Sequence, residues 1–157
     1  MAKIYYDNDA DLSYLDGKVI TFVGYGNQGR AQALNLRDSG IKNIVIGNIE
    51  DEYKKRAMSD GFETYDIETA CKKGDIIFIL IPDEVAPDVY RREIQPSLKA
   101  GDVLNFASGY NITYKLIEPP EDVDVIMVAP RMIGEGVREL YKEGFPTFVA
   151  VEQNASG

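Results

Sequence analysis

Val23-Gly24-Tyr25-Gly26-Asn27-Gln28-Gly29 is a G-x-G-x-x-G run, and what flanks it decides the fold class. On its N-terminal side lies an apolar, β-branched stretch, Lys18-Val19-Ile20-Thr21-Phe22-Val23, that reads as a strand. On its C-terminal side the pattern over 28–39 reads as a helix. Glycines alone also suit ordinary turns and caps, but a strand before and a helix after give these three a joint use. Gly24 allows the tight turn, Gly26 lets a pyrophosphate approach the backbone, and Gly29 lets the helix pack closely on the strand. The free N–H groups where the helix opens then face the phosphate charge. Gly24, Tyr25, Gly26, Asn27, Gln28 and Gly29 are therefore the expected dinucleotide-binding turn.

Working outward, short β-branched runs alternate with helical patterns. Strands are expected at 18–23, 43–47, 62–65, 75–81, 102–106, 123–128 and 147–151, and helices at 28–39, 50–60, 66–73 and 83–94. Ile76-Ile77-Phe78-Ile79-Leu80-Ile81 is apolar without alternation, as a strand covered on both faces would be. Alternating β and α predicts an α/β fold, a doubly wound, mainly parallel Rossmann-type sheet with helices on both faces and right-handed crossovers. In such sheets ligands bind outside the carboxyl ends of the strands. At 157 residues the chain is expected to be a single domain, with 1–17 as an N-terminal arm carrying one helical turn near 9–15. The end, Glu152-Gln153-Asn154-Ala155-Ser156-Gly157, reads like the entrance to a linker.

Composition excludes more than it assigns. A net charge of −9 argues against non-specific nucleic-acid binding and against an anionic membrane surface. The N-terminus lacks an apolar signal-like core and no stretch is long enough to span a bilayer, so a cytoplasmic, soluble protein is expected. One cysteine, Cys71, permits no internal disulfide and reads as a plain surface or semi-buried thiol. With no histidine, no Ser-His or Cys-His pair can be built. Chemistry must come from Lys, Arg, Asp, Glu, Tyr, a hydroxyl or a bound cofactor.

Beyond the glycine turn, several ordered stretches carry a family likeness: Ala2-Lys3-Ile4-Tyr5-Tyr6-Asp7, Gln32 to Gly40, and Leu80-Ile81-Pro82-Asp83-Glu84-Val85. It continues in Phe106-Ala107 with Gly109-Tyr110-Asn111-Ile112, in Pro119-Pro120 with Asp122 to Pro130, and in Asn154-Ala155-Ser156-Gly157. Over nearly its whole length the chain resembles the N-terminal domain of ketol-acid reductoisomerase, an enzyme of branched-chain amino-acid synthesis. The resemblance implies a metal-dependent alkyl shift of an acetohydroxy acid, a 2-hydroxy-keto acid substrate, followed by hydride transfer from NAD(P)H. It also implies a second, helical domain supplying acidic ligands for Mg²⁺. No acidic cluster here is assigned to metal, so this chain is expected to bind cofactor but to be inactive alone. Because the resemblance assigns the principal dimer contacts to the helical domain, it is also expected to be monomeric.

Two departures stand out. Ser108 occupies the position of a histidine in the family's Phe-Ala-His-Gly, and Arg131-Met132-Ile133-Gly134-Glu135 stands where the family has Lys-Gly-Pro-Gly-His. Arg keeps the charge but cannot shuttle a proton. Ser108 reads as a turn residue or as a hydrogen-bond donor to substrate, and Arg131 as a solvated side chain or a bidentate grip on a carboxylate. Both are the candidate catalytic positions. They leave open a divergent reductase of another substrate, or a non-catalytic dinucleotide sensor.

Other candidate cofactor contacts follow the strands: Ile81, Pro82 and Asp83, then Ala107 and Gly109, then Asn48, Glu50 and Asp51. The family implies that Pro82-Asp83-Glu84 walls the ribose and nicotinamide; Asp83 also suits a helix N-cap. Glu135, Arg138 and Glu139 read as a solvated helix face. The 2′ position of the adenosine ribose lies against the loop Asn48-Ile49-Glu50-Asp51-Glu52. Its consecutive acids disfavour a 2′-phosphate, which favours NADH over NADPH; Arg30 is the counter-argument, as a cation that could reach a phosphate.

Overall fold

Ile20–Val23 forms the first strand, β1, and all of its residues are buried, because apolar side chains go to both faces. The computed structural model describes residues 3–157; Met1 and Ala2, the start of the expected arm, lie outside the described residues. In chain order the remaining elements are α1 (Asn27–Asp38), β2 (Ile44–Gly47), α2 (Glu52–Ser59), β3 (Glu63–Tyr65), α3 (Ile67–Lys73) and β4 (Ile76–Ile79). Then come α4 (Ala86–Val89), β5 (Val103–Phe106), α5 (Tyr110–Thr113), β6 (Asp124–Ala129), α6 (Gly134–Glu139) and β7 (Phe148–Gln153). The sheet runs β3-β2-β1-β4-β5-β6-β7. All neighbouring pairs are parallel except β6 with β7, which is antiparallel. The strand order reverses between β1 and β4, which is the switch point where ligands collect in open α/β sheets.

Side-chain alternation along β1 divides the core. Ile20 and Phe22 join Ala33, Leu34, Ala57 and Phe62 under α1 and α2. Val23 joins Ile67, Cys71, Ile77, Ile79 and Tyr90 under α3 and α4. Helices thus cover both faces, as the sequence predicts. Cys71 is fully buried rather than semi-exposed, and burial pushes its thiol up to about 12, so it is an inert core residue.

Several boundaries differ from expectation for identifiable reasons. The strand expected over 75–81 ends at Ile79, and Phe78 on one face is only half-buried. The helix expected over 83–94 begins at Ala86, with Val85 as its N-cap residue. It passes into a π-helical turn over Tyr90–Ile94 and a 3₁₀ turn over Gln95–Ser97, where Pro96 cannot supply a helical N–H. Asp83 is therefore not its N-cap. The arm holds two 3₁₀ turns, Asp7–Asp9 and Leu12–Leu15, rather than one helical turn.

After β6 the chain crosses back onto α1. The Asn35 amide donates to the Val137 carbonyl at 2.9 Å, and Arg138 donates to Asn35 at 2.8 Å and Asp38 at 2.6 Å. Arg138 is thus part of the α1–α6 contact, not a member of a purely solvated face. A Cβ built on Gly134 would lie 2.0 Å from the Asn27 carbonyl oxygen, so this contact is backbone against backbone and only glycine fits.

The last residues are tied back to β6 and the turn before it. The Asp124 carboxylate accepts from the Ala155 N–H at 2.6 Å, the Ser156 N–H at 3.0 Å and the Ser156 hydroxyl at 2.6 Å. The Gln153 amide donates to the Pro120 and Val123 carbonyls. The Ser156 hydroxyl and N–H hold the Asp124 carboxyl below its ordinary value. A depressed folded-state pKa means the unfolded chain binds protons first as pH falls. The stabilisation is thus present above the ordinary carboxylate range and lost as pH drops through the folded value. Asp124→Asn should lower the denaturation midpoint at neutral pH and flatten its decline on acidification. An unchanged pH profile in urea titrations would contradict this.

Candidate functional site

The turn between β1 and α1 is built on two close approaches. Gly24 has φ +95° and leaves no room for a side chain: a Cβ would lie 2.8 Å from the Leu80 carbonyl oxygen and 2.8 Å from Ile81. A Cβ on Gly29 would lie 2.1 Å from the Gly24 carbonyl oxygen, so the first turn of α1 sits directly on the end of β1. A Cβ on Gly26 would meet nothing within 4 Å. Two glycines are thus required by packing, and the third opens the backbone to whatever approaches it. That is the division of roles a pyrophosphate cradle needs.

Tyr25 is a core residue. Its ring is fully buried edge-on to Phe62, and its hydroxyl donates to Asp60 at 2.9 Å. Only its backbone belongs to the turn. Asp60 is also the partner of Arg30, which donates to it at 2.7 and 3.2 Å in a bidentate pair. The Arg30 bonds, foremost, and the Tyr25 hydroxyl hold the Asp60 carboxyl below its ordinary value. Arg30 is therefore committed to a carboxylate in this structure, which weakens its candidacy as a phosphate ligand.

Asn48 couples the glycine turn to the β2–α2 loop. Its side-chain oxygen accepts from the Tyr25 N–H at 3.2 Å, while its amide nitrogen donates to Asp51 at 2.8 Å and to the Ile49 carbonyl at 3.0 Å. Asp51 is the N-cap of α2 and accepts from the Lys54 N–H at 3.0 Å. Glu50 is exposed and ion-paired with the buried Lys54. The acids thus have structural partners and still give this loop a negative rim.

On the other side of the switch point, a cleft of about 360 Å³ opens at the carboxyl ends of β4, β5 and β6. Ile81, Pro82, Asp83, Ala107, Ser108 and Arg131 all line it. Gly109 does not; it borders a neighbouring hollow with Met127 and Ala150. The Ser108 hydroxyl donates to Asp83 at 3.3 Å and accepts from the Tyr110 N–H at 3.2 Å. Its single proton is thus directed at a protein carboxylate, so the expected role as donor to a ligand is not the one it has here. Arg131 is exposed and stands over the Phe148 ring at 5.0 Å. Its φ of +61° is a left-handed backbone that costs a non-glycine residue roughly 1–2 kcal/mol. Such strain often marks a functional position.

Three features of the site were not anticipated from the sequence. Asn111, nearly fully buried, anchors Asp83. The Gln28 amide donates to the Met132 carbonyl at 2.6 Å, joining α1 to the loop that carries Arg131. Asp60 serves both Tyr25 and Arg30. Asn111 already lay within the Gly109-Tyr110-Asn111-Ile112 match; nothing local pointed to the other two. Among the described residues no group of three His, Cys, Asp or Glu could hold a metal ion. Among them, too, no helix is long and apolar enough to cross a membrane.

Asn48→Ala removes the acceptor for the buried Tyr25 N–H and both donors to the following loop. A loss of about 1–3 kcal/mol in unfolding free energy is expected for the stranded donor. Urea denaturation checks it, and an unaltered midpoint would mean the two loops are not coupled through this side chain.

Comparison with known proteins agrees with this geometry. Residues 14–157 match the family described as acetohydroxy acid isomeroreductase, NADPH-binding domain. The chain is 51% identical over 153 residues to a protein named putative ketol-acid reductoisomerase 3 from Saccharolobus solfataricus, covering 95% of this chain and 46% of that protein. It is 54% identical over 160 residues to the ketol-acid reductoisomerase (NADP(+)) of Methanopyrus kandleri, covering 100% of this chain and 49% of that protein. Among solved structures, an NADH-preferring ketol-acid reductoisomerase from an uncultured archean superposes with a TM-score of 0.95 at 50% identity. That match covers 99% of this chain and 49% of the other. The chain spans about half the length of the curated relatives it matches. It belongs to the ketol-acid reductoisomerase family, whose dinucleotide-binding domain it comprises.

Proposed function

We propose that the chain binds a reduced nicotinamide dinucleotide across the carboxyl ends of its strands and serves the reductive half of acetohydroxy acid conversion. The observation that carries this reading is the open backbone at Gly26 between two glycines fixed by packing. The pyrophosphate lies over Gly24 to Gly29, the adenosine half extends toward Asn48, Glu50 and Asp51, and the nicotinamide half enters the cleft beside Ile81, Pro82 and Ala107. When bound, the cofactor supplies hydride. The residues of this chain position the ring, exclude water from one of its faces, and offer the Arg131 guanidinium to a substrate carboxylate. Arg131 gives fixed charge and bidentate geometry but no proton shuttle.

The alkyl shift that the family performs with Mg²⁺ requires ligands from outside the described residues. The isolated chain should therefore convert no acetolactate at any magnesium concentration, and detectable turnover would refute this assignment. Ser108 and Arg131 also favour a second reading, reduction of a different substrate, which turnover of acetolactate by a full-length protein carrying these residues would exclude.

NADH is the preferred cofactor in this reading. Glu50 and Asp51 line the approach to the ribose 2′ position, and the nearby cations Lys54, Lys55 and Arg30 already face carboxylates. The names of the relatives divide on this point, one being NADH-preferring and another NADP(+)-dependent; the loop chemistry is what supports NADH. Exposed like charges interact weakly, giving a preference of roughly tenfold that shrinks as salt rises. Calorimetric titration with NADH and NADPH at low and high salt measures it. Equal or tighter NADPH binding at low salt would overturn the preference and return Arg30 to the role of phosphate ligand.

Gly26→Val tests the site itself. No neighbour crowds a side chain at that position, so the fold should survive while cofactor affinity falls by at least about tenfold, in line with a lost charge-assisted contact. Wild-type affinity in a cofactor-fluorescence titration of the folded variant would contradict the placement of the pyrophosphate.

A further inference from the structure

The arm before β1 carries apolar side chains that the rest of its own chain does not cover. Ile4, Tyr5, Tyr6, Leu12 and Tyr14 are all at least half exposed, Tyr14 by 81%. The arm is nonetheless shaped. Its two 3₁₀ turns are closed by the Asp9 and Asp11 carboxylates, which accept from the Tyr6 and Ser13 N–H groups at 2.9 Å. Leu15 anchors it against the core cluster under α1 and α2. A locally ordered segment that leaves several large apolar groups in water marks a contact surface. Its charge is one-sided: over 3–17 four aspartates, Asp7, Asp9, Asp11 and Asp16, stand against Lys3.

A recess of about 510 Å³ at the amino ends of the strands has the opposite sign. Arg37, Lys42 and Lys73 line it against a single acid, Glu63. Among the described residues none of these three cations is ion-paired. Arg37 and Lys73 sit in the last turns of α1 and α3, where a helix C-terminus favours positive charge. That accounts for two of the positions but not for Lys42, and it supplies no carboxylate. Arg37 lies over the Phe62 ring at 4.6 Å and Lys73 over the Tyr65 ring at 4.7 Å. Both cations are exposed, so a second aromatic ring can stack on the planar guanidinium from outside. No described residue of 3–17 lines the recess of its own chain.

We infer that two copies of this chain exchange arms, the tyrosines of each entering the recess of the other while its aspartates meet Arg37, Lys42 and Lys73. The arm runs into β1 at Ile20, and the recess is lined by Val19, Asn43 and Ile44, so donor and acceptor surfaces share one end of the sheet. Both halves of the contact then repeat about a single two-fold axis, which closes the pair without leading to a filament. A recess of this volume is in the range that encloses a drug-sized ligand, room for adjacent aromatic side chains. The net charge of −9 on each copy opposes association in general, so a pair forms only where local charges are complementary. Exposed ion pairs contribute little each, so burial of the rings carries the affinity and the charges fix which surfaces meet. The contact is independent of the dinucleotide site. It departs from the monomer expected above, because the dimer contacts implied by the resemblance belong to a helical domain and not to this arm.

Sedimentation equilibrium on the whole chain, taken up to about 0.5 mM, should show a reversible monomer–dimer equilibrium. Tyr5→Ser with Tyr6→Ser should weaken it at least about tenfold and leave the circular dichroism spectrum unchanged, since both side chains are exposed. A charge exchange identifies the surfaces. One variant carries Lys42→Glu and Lys73→Glu in the recess; the other carries Asp7→Lys and Asp16→Lys in the arm, two aspartates whose side chains make no hydrogen bond within the chain. Each folded variant alone should sediment as a monomer, because arm and recess then have the same sign. Their equimolar mixture should dimerise, because every arm again meets a recess of opposite sign. A wild-type chain that stays monomeric over this range, a dimer that persists in the recess variant, or a mixture of folded variants that fails to pair would each overturn the arm exchange.

Discussion

The contact between Gly29 and the Gly24 carbonyl is the constraint from which the site follows. With no room even for a methyl group between them, α1 must begin against the end of β1. The later chain is built onto that start. Gly134 lies against the Asn27 backbone, and Gln28 reaches across to the Met132 carbonyl. The loop carrying Arg131 is therefore referenced to the same helix N-terminus as the glycine turn. One backbone approach sets the geometry of both walls of the cleft.

The two sides of the switch point are finished with different chemistry. Toward β2, Asn48 bonds both the glycine turn and the α2 cap, so this side is a braced, negatively rimmed shelf. Toward β5, Asn111 and Ser108 immobilise a carboxylate that remains partly accessible. Each side uses a buried or half-buried asparagine-aspartate pair to fix a loop that has no regular structure to hold it. Such loops must satisfy their backbone groups through side chains, and here the same side chains shape the ligand surface.

The fold was legible because its signals are local and redundant. Strand, glycine turn and helix occur in immediate succession, and the apolar runs of β2 and β4 lie between helical patterns. Boundaries were less legible where proline and carboxyl-end loops intervene: Leu80 and Ile81 continue the apolar run of β4 yet leave the sheet, and α4 starts late. The packing roles of Gly24 and Gly29 were readable from the sequence, whereas Tyr25 looks like a loop residue and is a core one. The Asp60 contacts and the Gln28–Met132 bond could not be found by pattern, because each joins residues at least 30 positions apart in sequence. Ser108 lines the cleft and accepts from the Tyr110 N–H as a turn residue does, while its bond to Asp83, 25 positions away, was not legible.

The central claim is that a dinucleotide lies across the carboxyl ends of the strands. A second large recess, about 510 Å³, opens at their opposite ends beside Arg37, Lys42 and Lys73, and offers positive charge of its own to an anionic ligand. Backbone amide chemical-shift mapping during titration with NADH separates the two directly. The account predicts the largest shifts at Gly26, Asn27 and Gln28, continuing through Asp83, Ala107 and Ser108. Shifts concentrated around Arg37, Lys42 and Lys73, with the glycine turn silent, would contradict it.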